Sequence, residues 1–387
     1  MNLLRIIHTL DPASGGPVAA LRSSCRALAA RGHPCTVVTA DPRTGADDLK
    51  QPDDAFTWIP LGEPGHAARR FVPAIGHWLA EHRSGFDGIY LHGLWQSPTR
   101  AAGQALRDED APPWFVFPHG MLDRWFRKGY PLRHIKKQTY WWLHEGPVLA
   151  AADHVLFTSE EELARSTGTF RPWRLRPRIV AYGIEGGPGD HTPTPHRPPD
   201  LPGDYLLFLG RLHRKKGLDR LLAAWAAAAP AKHHLVLAGP DEDNLARPLR
   251  EQAARLGVAE RVHLPGLVRG VAKTGLLAHA DALALVSHQE NFGLVVAEAL
   301  AWGKPVLLST GVALHREVAA CDAGLTGEPT QAGTRALLQD WYALSAERKA
   351  ALGTAARRLY ADRFSAERAA EDLVELVQEC GENRGHG

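Results

Sequence analysis

The chain has few cysteines, and their spacing argues against two classes of protein. The four are Cys25, Cys35, Cys321 and Cys380, and no two of them form a C-x-x-C pair. A disulfide-stabilised secreted domain has a dense framework of cysteines, and a structural zinc site has closely spaced thiolates. We therefore expect a reducing compartment and no zinc site.

The chain also lacks long apolar runs and an excess of charge of one sign. The apolar N-terminal run is interrupted by Arg5, and no later stretch approaches the ~20 apolar residues of a membrane span. Lys and Arg total 45 against 43 for Asp and Glu, which leaves a formal charge of +2. Such an even balance is not typical of proteins that bind nucleic acid. We expect a cytoplasmic protein that does not bind nucleic acid.

Short apolar runs that end in Gly, His or Ser recur along the chain and predict buried parallel strands. One series comprises residues 3–8, 88–93, 114–120 and 154–159, and a second comprises 205–210, 234–239, 261–266, 282–287 and 305–310. Helical patterns lie between the runs. In the pattern at 16–32, Val18, Leu21, Cys25 and Leu28 share one face, and Gly32 is a suitable C-terminal stop.

The alternation of strands and helices predicts an α/β fold in which βαβ units form doubly wound parallel sheets. The two series of strands are separated by residues 185–204, which are rich in Pro and Gly and nearly free of apolar side chains. Such a composition is typical of a linker. We therefore predict two Rossmann-like domains, at 1–185 and 204–365, which face a cleft and bind ligands at the carboxyl ends of their strands.

Residues 287–309, SHQENFGLVVAEALAWGKPVLLS, contain two acids, Glu290 and Glu298, eight positions apart. If 282–287 is a strand, Glu290 lies in the loop at its carboxyl end, and a helix begins near Gly293 or Leu294. The first backbone N–H groups of that helix favour an anion such as a phosphate. The alternative is that Glu290 caps the helix and Glu298 is a solvated helix residue, and the stretch alone leaves both interpretations open.

Two cations follow the first strand of the second series. Arg211 comes directly after Gly210, and Lys216 precedes Gly217 and another helical pattern. A planar guanidinium and a compact ammonium suit the two phosphates of a diphosphate. Arg214 and Lys215 are more simply solvated.

In the first domain, glycines and histidines occur at or near the carboxyl ends of the predicted strands. Gly15 and Gly16 precede a helix, so the backbone can approach a ligand there, or else they form a tight turn before Pro17. Histidines end three of the predicted strands, and His119, beside Gly120, is the best candidate for a polar contact to a substrate. A structural role for each histidine remains the alternative. The histidines concerned are His8, His92 and His119.

Residues 123–146, DRWFRKGYPLRHIKKQTYWWLHEG, are basic and aromatic together. One interpretation is that this stretch rests on an anionic membrane surface. A second is that Tyr140, Trp141 and Trp142 pack into the domain while the lysines are solvated. Nucleic-acid binding is a third interpretation, which the near-neutral total charge disfavours.

Five stretches together resemble family 4 of the retaining glycosyltransferases, which have the two-domain GT-B fold. They are GGPVAAL, GRLHRKKG, LAGP, LPGLV and ENFGLVVAEALAWGKPVLLS, and the match spans essentially the whole chain. The specific part is a Glu, seven residues and a second Glu, followed by Ala-Leu-Ala-x-Gly-x-Pro-Val. The resemblance implies that the first domain lies on the acceptor side and that the second binds the nucleotide sugar. It also implies that a C-terminal helix, about residues 366–387, crosses back to the first domain.

The resemblance also implies a role for each candidate residue. Glu290 would contact hydroxyls of the donor sugar as a catalytic residue, and Glu298 would hold the ribose. Arg211 and Lys216 would bind the diphosphate, and Leu267 with neighbouring backbone would cradle the base. His119 would be the catalytic histidine of the N-terminal domain, and Gly16 would let the backbone approach a phosphate. The backbone amides that would meet the distal phosphate belong to Asn291, Phe292, Gly293 and Leu294.

Two departures from the family pattern occur. Gly183-Ile184-Glu185 stands where the family often has Asn-Gly-Val-Asp, and Asn291 stands where glycine is common. The stretches beginning PHGMLDRWF and YWWLHEG are similar to those of bacterial surface or exopolysaccharide transferases.

The implied activity is transfer of a hexose from a UDP- or GDP-linked sugar to a hydroxyl of a saccharide or lipid-linked saccharide, in cell-surface polysaccharide synthesis. No cofactor and no metal would be needed, because Arg211, Lys216 and a helix N-terminus can stabilise the departing diphosphate. The protein would be cytoplasmic, with or without a peripheral contact to the inner face of the membrane. Three alternatives stay open: a hydrolase with Glu290 and Glu298 as its carboxylate pair, a nucleotide-sugar epimerase, and a non-catalytic binding subunit.

Overall fold

The computed structural model describes residues 1–42, 53–63, 72–108, 110–124, 131–187, 195–197, 201 and 203–385. The chain divides into two compact units. Unit 1 comprises Met1–Ile184 together with Ala366–Gly387, and unit 2 comprises Glu185–Ser365.

Unit 1 is built on a parallel sheet of seven strands in the order β3-β2-β1-β4-β5-β6-β7. The chain reverses its direction of winding between β1 and β4, which is where a doubly wound sheet opens its crevice. The strands are β1 Leu3–Ile7, β2 Cys35–Pro42, β3 Phe56–Gly62, β4 Gly88–His92, β5 Trp114–Phe117, β6 His154–Phe157 and β7 Pro177–Ile179.

The helices of unit 1 cover this sheet and pack on its two apolar cores. They are α1 Gly16–Ala30, α2 Pro73–His82, α3 Ser97–Ala105, α4 Pro131–Tyr140, α5 Gly146–Ala151, α6 Glu160–Ser166 and the C-terminal α14 Ala366–Gly385, with a π-helical turn at Trp141–Glu145. In α1, the predicted face of Val18, Leu21, Cys25 and Leu28 is buried. The helix ends just before Gly32, whose φ of 77° suits the glycine there.

Unit 2 repeats the plan with six parallel strands in the order β10-β9-β8-β11-β12-β13. The strands are β8 Tyr205–Leu209, β9 His234–Ala238, β10 Val262–Gly266, β11 Ala282–Leu285, β12 Val306–Ser309 and β13 Gly324–Gly327. The helices are α7 Leu218–Ala228, α8 Ala246–Arg255, α9 Gly270–His279, α10 Leu294–Ala301, α11 His315–Ala320, α12 Gln331–Ala343 and α13 Ala346–Arg363.

The nine strands predicted from apolar runs are confirmed, each within about three residues at its ends. The pattern missed β2, β3, β7 and β13. Strand β7 is short and largely exposed, and β13 is bounded by glycines, so neither carries a continuous apolar run. No helix among the described residues is long and apolar enough to cross a membrane.

Candidate functional site

The carboxyl ends of two neighbouring strands of unit 2 carry the candidate residues. Strand β8 ends at Leu209 and pairs with β11, which ends at Leu285. Parallel neighbours end at the same edge of a sheet, so the loops that follow them lie side by side. The two loops are joined by a hydrogen bond from the N–H of His288 to the carbonyl of Lys215, at 2.8 Å.

The structure brings Lys216 and Glu290 together. The Lys216 ammonium donates to the Glu290 carboxylate, and both side chains are largely shielded from solvent. The backbone N–H of Glu290 donates to Gly311 at 2.9 Å, which fixes the loop that carries the carboxylate. Gly293, with φ 74°, is the N-cap of α10, and no side chain caps that helix. The interpretation of Glu290 as a helix cap is therefore wrong.

Glu298 lies one turn into α10 and pairs with a residue that sequence reasoning missed. The Lys273 ammonium, on α9, donates to Glu298 at 2.6 Å, and the Glu298 side chain is mostly buried. Glu298 is therefore not a solvated helix residue. Nothing in the spacing around Lys273 distinguishes it from a surface lysine, and only the packing of α9 beside α10 makes it a partner.

Arg211 also lies at the strand end but pairs elsewhere. Its guanidinium donates to Glu242, which follows β9, at 2.8 Å and 3.0 Å, and its side chain is 63% exposed. The strand ends approach closely here: a Cβ on Gly239 would lie 1.8 Å from the carbonyl oxygen of Gly210, so only glycine fits at Gly239. Arg211 is thus an accessible cation on a constrained backbone.

Three further residues hold or surround this loop cluster. Arg220, which sequence reasoning missed, donates to the carbonyl of Val286 at 2.9 Å and also to that of Pro329. Phe292 is buried and meets Phe364 edge-on with ring centres 5.6 Å apart, so its side chain anchors the loop. Leu267, in the loop after β10, exposes 55% of its surface, which leaves an apolar contact available to a ligand.

In the same cluster, Arg214 and Lys215 were expected to be solvated, and the Arg214 side chain is 84% exposed. Asn291 and Leu294 flank the N-cap of α10, and both are partly exposed. Their backbone therefore lies at the start of a helix whose dipole favours an anion.

In unit 1, Gly16 is the first residue of α1. Gly15 before it has φ 83°, and no atom lies within 4 Å of the position that a Cβ would take. No side chain caps this helix. The backbone is therefore accessible on that side, and the N–H of Gly15 donates to the carbonyl of Pro12 at 3.2 Å in a tight turn.

His119 belongs to a hydrogen-bonded chain that starts at a buried arginine. The Arg5 Nε–H donates to Nε2 of His92 at 3.0 Å, and Nδ1 of His92 lies 3.0 Å from Nε2 of His119. Nδ1 of His119 lies 3.4 Å from the Tyr182 hydroxyl. Arginine can only donate, so His92 must carry its proton on Nδ1, and His119 in turn must carry its own on Nδ1. His119 is therefore held as a neutral hydrogen-bond donor.

The environment of the two rings agrees with that protonation. Burial, together with the charge of Arg5, lowers the pKa of His119 to about 3 and lowers the pKa of His92 well below its usual value. The turn after β5, which carries His119, is held by Glu162. This buried residue, which sequence reasoning missed, accepts from the N–H of Gly120 at 2.6 Å. His92 has the structural role left open for it, because its ring is buried between Arg5 and His119.

The packing interpretation of the basic and aromatic stretch holds for only part of it. Trp141 is buried, whereas Trp142 and Leu143 are 58% and 65% exposed, and Ile135 is 64% exposed. Lys137 is half-buried, with Nζ 4.6 Å from the ring centre of Trp95. The packing interpretation therefore holds for Trp141 and not for Trp142. Residues 125–130 lie outside the described residues.

Two family models match the chain. The model for glycosyl transferases group 1 matches residues 197–359, and the model for a glycosyl transferase 4-like domain matches residues 15–183. Between them, the two matches include most of both sheets. The chain belongs to the glycosyltransferases that carry these two domains.

Curated relatives agree with this assignment. The chain is 30% identical over 260 residues to the D-inositol 3-phosphate glycosyltransferase of Salinispora tropica, a match covering 61% of this chain and 53% of that protein. It is 33% identical over 264 residues to the enzyme of that name from Actinosynnema mirum, covering 63% and 56%. The matches thus span about half the length of these curated relatives.

Solved structures show the fold of this glycosyltransferase. Sucrose-phosphate synthase from Thermosynechococcus elongatus superposes with a TM-score of 0.72 at 20% identity, over 99% of both chains. Anabaena HepE in complex with UDP and glucose superposes with a TM-score of 0.70 at 19% identity, over 98% of this chain and 100% of that one. The prediction of two Rossmann-like domains of the GT-B type is confirmed.

Proposed function

We propose that this glycosyltransferase moves a hexose from a nucleotide sugar to a hydroxyl of a saccharide or lipid-linked saccharide, with retention of the anomeric configuration. The observation that carries the proposal is the arrangement around α10. A lysine-paired glutamate precedes the helix, a second follows one turn into it, and the helix N-terminus lies between them. This combination offers acceptors for sugar hydroxyls beside donors for phosphates.

Each residue has a proposed role that suits its chemistry. Glu290 accepts hydrogen bonds from the donor sugar, and Glu298 accepts them from the ribose. Lys216, Arg211 and the amides from Asn291 to Leu294 stabilise the diphosphate, on which negative charge grows as the bond to the sugar breaks. This set of donors needs no metal. Leu267 contacts the base. In unit 1, His119 makes a polar contact to a substrate, and Gly16 lets the backbone approach a phosphate.

The proposed reaction is a same-face substitution. The acceptor oxygen bonds to the anomeric carbon while the bond from that carbon to the diphosphate oxygen breaks, and the departing phosphate takes the acceptor proton. A stable glycosyl adduct on Glu290, detected by mass spectrometry of the intact protein after incubation with donor, would contradict this version.

UDP or GDP is the proposed nucleotide. The Anabaena HepE structures contain UDP, UDP with glucose, and UDP-glucose, which supports a uridine donor. The test is a calorimetric titration of the protein with UDP and with GDP, without added metal. We expect one nucleotide to bind, and Glu298→Ala to lose that binding. Glu251→Ala, which removes an exposed carboxylate of α8, is the matched control. If neither nucleotide binds, the donor assignment fails.

We also propose that the protein acts in cell-surface polysaccharide synthesis and contacts the membrane. The exposed Ile135, Trp142 and Leu143 lie beside basic residues of α4, which suits a surface that contacts anionic lipid. Replacing Lys136 and Lys137 by glutamate should reduce sedimentation with anionic vesicles. Unchanged sedimentation would remove the membrane contact from the proposal.

A nucleotide-sugar epimerase is the rival that shares most of this site. It would convert the donor without an acceptor, whereas a transferase releases nucleotide at a rate that depends on acceptor. Product analysis by NMR after incubation with donor alone separates the two, because only an epimerase gives a new nucleotide sugar. A non-catalytic subunit would bind nucleotide and yield neither product.

A further inference from the structure

Unit 1 contains a cavity of about 980 Å³ that the proposed donor site does not use. Its lining includes Trp95, Arg100, Arg133, Lys136, Lys137 and Tyr140. A volume of this size can hold a ligand as large as a sugar phosphate.

The cavity lies beside the turn that carries His119. Trp95 follows the end of β4, and its indole N–H donates to the carbonyl of Met121 at 3.3 Å. Met121 is two residues beyond His119 in the turn after β5. A ligand held against Trp95 would therefore lie at the edge of the sheet where ligands of doubly wound folds bind.

The charges of the cavity favour an anion. Arg100 lies on α3 and Arg133 on α4, so cations converge on the cavity from two helices. No described residue of the lining is acidic. Glu145 lies behind Trp95, where its carboxylate accepts the Trp95 backbone N–H at 2.8 Å. Burial raises the pKa of Glu145 to about 7, so this carboxylate only partly offsets the cations at neutral pH.

We propose that this cavity binds a phosphate group of the acceptor substrate. Guanidinium groups suit the oxygens of a phosphate, because they donate two parallel hydrogen bonds. Trp95, Tyr140 and the exposed Leu143 offer the apolar surface that a sugar ring or a lipid chain would contact. Calling the ligand an acceptor rests on the proposed transfer reaction, whereas the binding itself does not.

The first arm of the test uses a soluble phosphate ester. Glucose 1-phosphate is titrated into the protein by calorimetry in the presence of saturating UDP, which fills the proposed diphosphate site of unit 2. We expect binding that weakens roughly tenfold or more in the double variant Arg100→Gln/Arg133→Gln, because two charged hydrogen bonds are lost. The matched control is Arg107→Gln/Arg174→Gln, which removes two exposed arginines of unit 1 that do not line the cavity.

The second arm uses a lipid phosphate. Sedimentation is measured with phosphatidylcholine vesicles that contain phosphatidic acid and with vesicles of phosphatidylcholine alone. A loss of binding by Arg100→Gln/Arg133→Gln in this arm alone identifies a lipid-borne phosphate, and a loss in the soluble arm identifies a soluble one. Both results support the proposal.

If the Arg100→Gln/Arg133→Gln variant and its control behave alike in both arms, the proposal is overturned. Circular dichroism and UDP affinity show whether the variant is folded, and Arg133→Lys, which keeps the charge without the paired donors, gives a milder second variant. If the unaltered protein binds phosphate in this cavity but no nucleotide, the donor assignment fails while the cavity assignment stands.

Discussion

At the scale of single residues, Glu290 and Glu298 differ in how far the sequence could describe them. The contact between Lys216 and Glu290 could be predicted from the sequence, because both residues follow strand ends that a parallel sheet places together. The pairing of Lys273 with Glu298 was not, because Lys273 comes from a helix whose packing the sequence does not disclose. Spacing along the chain identifies which residues can contact a ligand. It says little about which charged side chains those residues pair with in the unliganded protein.

Arg211 gives the first prediction. We expect Arg211→Ala to weaken nucleotide binding by ~1.5 to 3 kcal/mol, the range for losing a hydrogen bond to a charged group. Calorimetric titration with the nucleotide that the protein binds measures this. Arg214→Ala is the control, since the Arg214 side chain is 84% exposed and has no proposed role. Equal affinity in Arg211→Ala and the unaltered protein would remove Arg211 from the site.

His119 gives the second prediction. Its pKa of about 3 means that the ring should stay neutral, with the proton on Nδ1, across the physiological range. Long-range ¹H–¹⁵N NMR spectra should therefore show an Nδ1–H tautomer for His119 that does not titrate between about pH 8 and about pH 5. The signals that disappear in His119→Gln assign the ring. Titration of these signals near pH 6.5 would contradict the deduced chain from Arg5.

At the scale of elements, the strands were the most predictable part and the irregular helices the least. Fully buried parallel strands need continuous apolar runs, and nine of the thirteen described strands carry them. The π-helical turn at Trp141–Glu145 has no such signature. It buries Trp141 and turns Glu145 inward to the backbone of Trp95, an arrangement that depends on the neighbouring turn after β4.

Glu145 gives a prediction at this scale. Because burial raises its pKa from 4.5 to about 7, the folded state binds this proton more tightly than the unfolded state. The associated stability is present below about pH 4.5 and is lost as the pH rises through about 7, by on the order of 3 kcal/mol. Glu145→Gln cannot lose a proton, so its stability should fall less over that range.

Urea unfolding of both proteins between about pH 5 and about pH 7.5 measures the difference. The buried histidines are common to both proteins, so their contribution cancels in the comparison. Parallel pH profiles for Glu145→Gln and the unaltered protein would show that Glu145 is ionised throughout.

At the scale of the whole molecule, the last helix of the chain belongs to the same compact unit as the first strands. Helix α14 packs on α1 and contributes Leu373, Leu376 and Val377 to the core that also contains β1. The Tyr90 hydroxyl on β4 donates to the carbonyl of Leu373 at 2.5 Å. Unit 1 is therefore made of two segments separated by the whole of unit 2.

This organisation predicts the effect of truncation. A chain ending at Ser365 exposes the surfaces that Leu373, Leu376 and Val377 cover, at roughly 1.5 to 3 kcal/mol for each side chain. A loss of that size is comparable with the stability of a whole domain, so unit 1 should unfold. Limited proteolysis should then cleave within residues 1–184 and spare 205–365. A chain ending at Cys380, which keeps these three side chains, is the control, and equal resistance of the two truncated chains would contradict the prediction.

The sequence by itself determined the α/β class, the strands with continuous apolar runs, the helix start at Gly293 and the family resemblance. These depend on local periodicity and on motifs whose residues are close along the chain. Only the tertiary structure decided the partners of Glu298 and Arg211, the protonation of His119 and the cavity beside Trp95. Each of these features brings together residues from different helices, strands and loops. Such contacts depend on how the elements pack, which the spacing of residues along the chain does not determine.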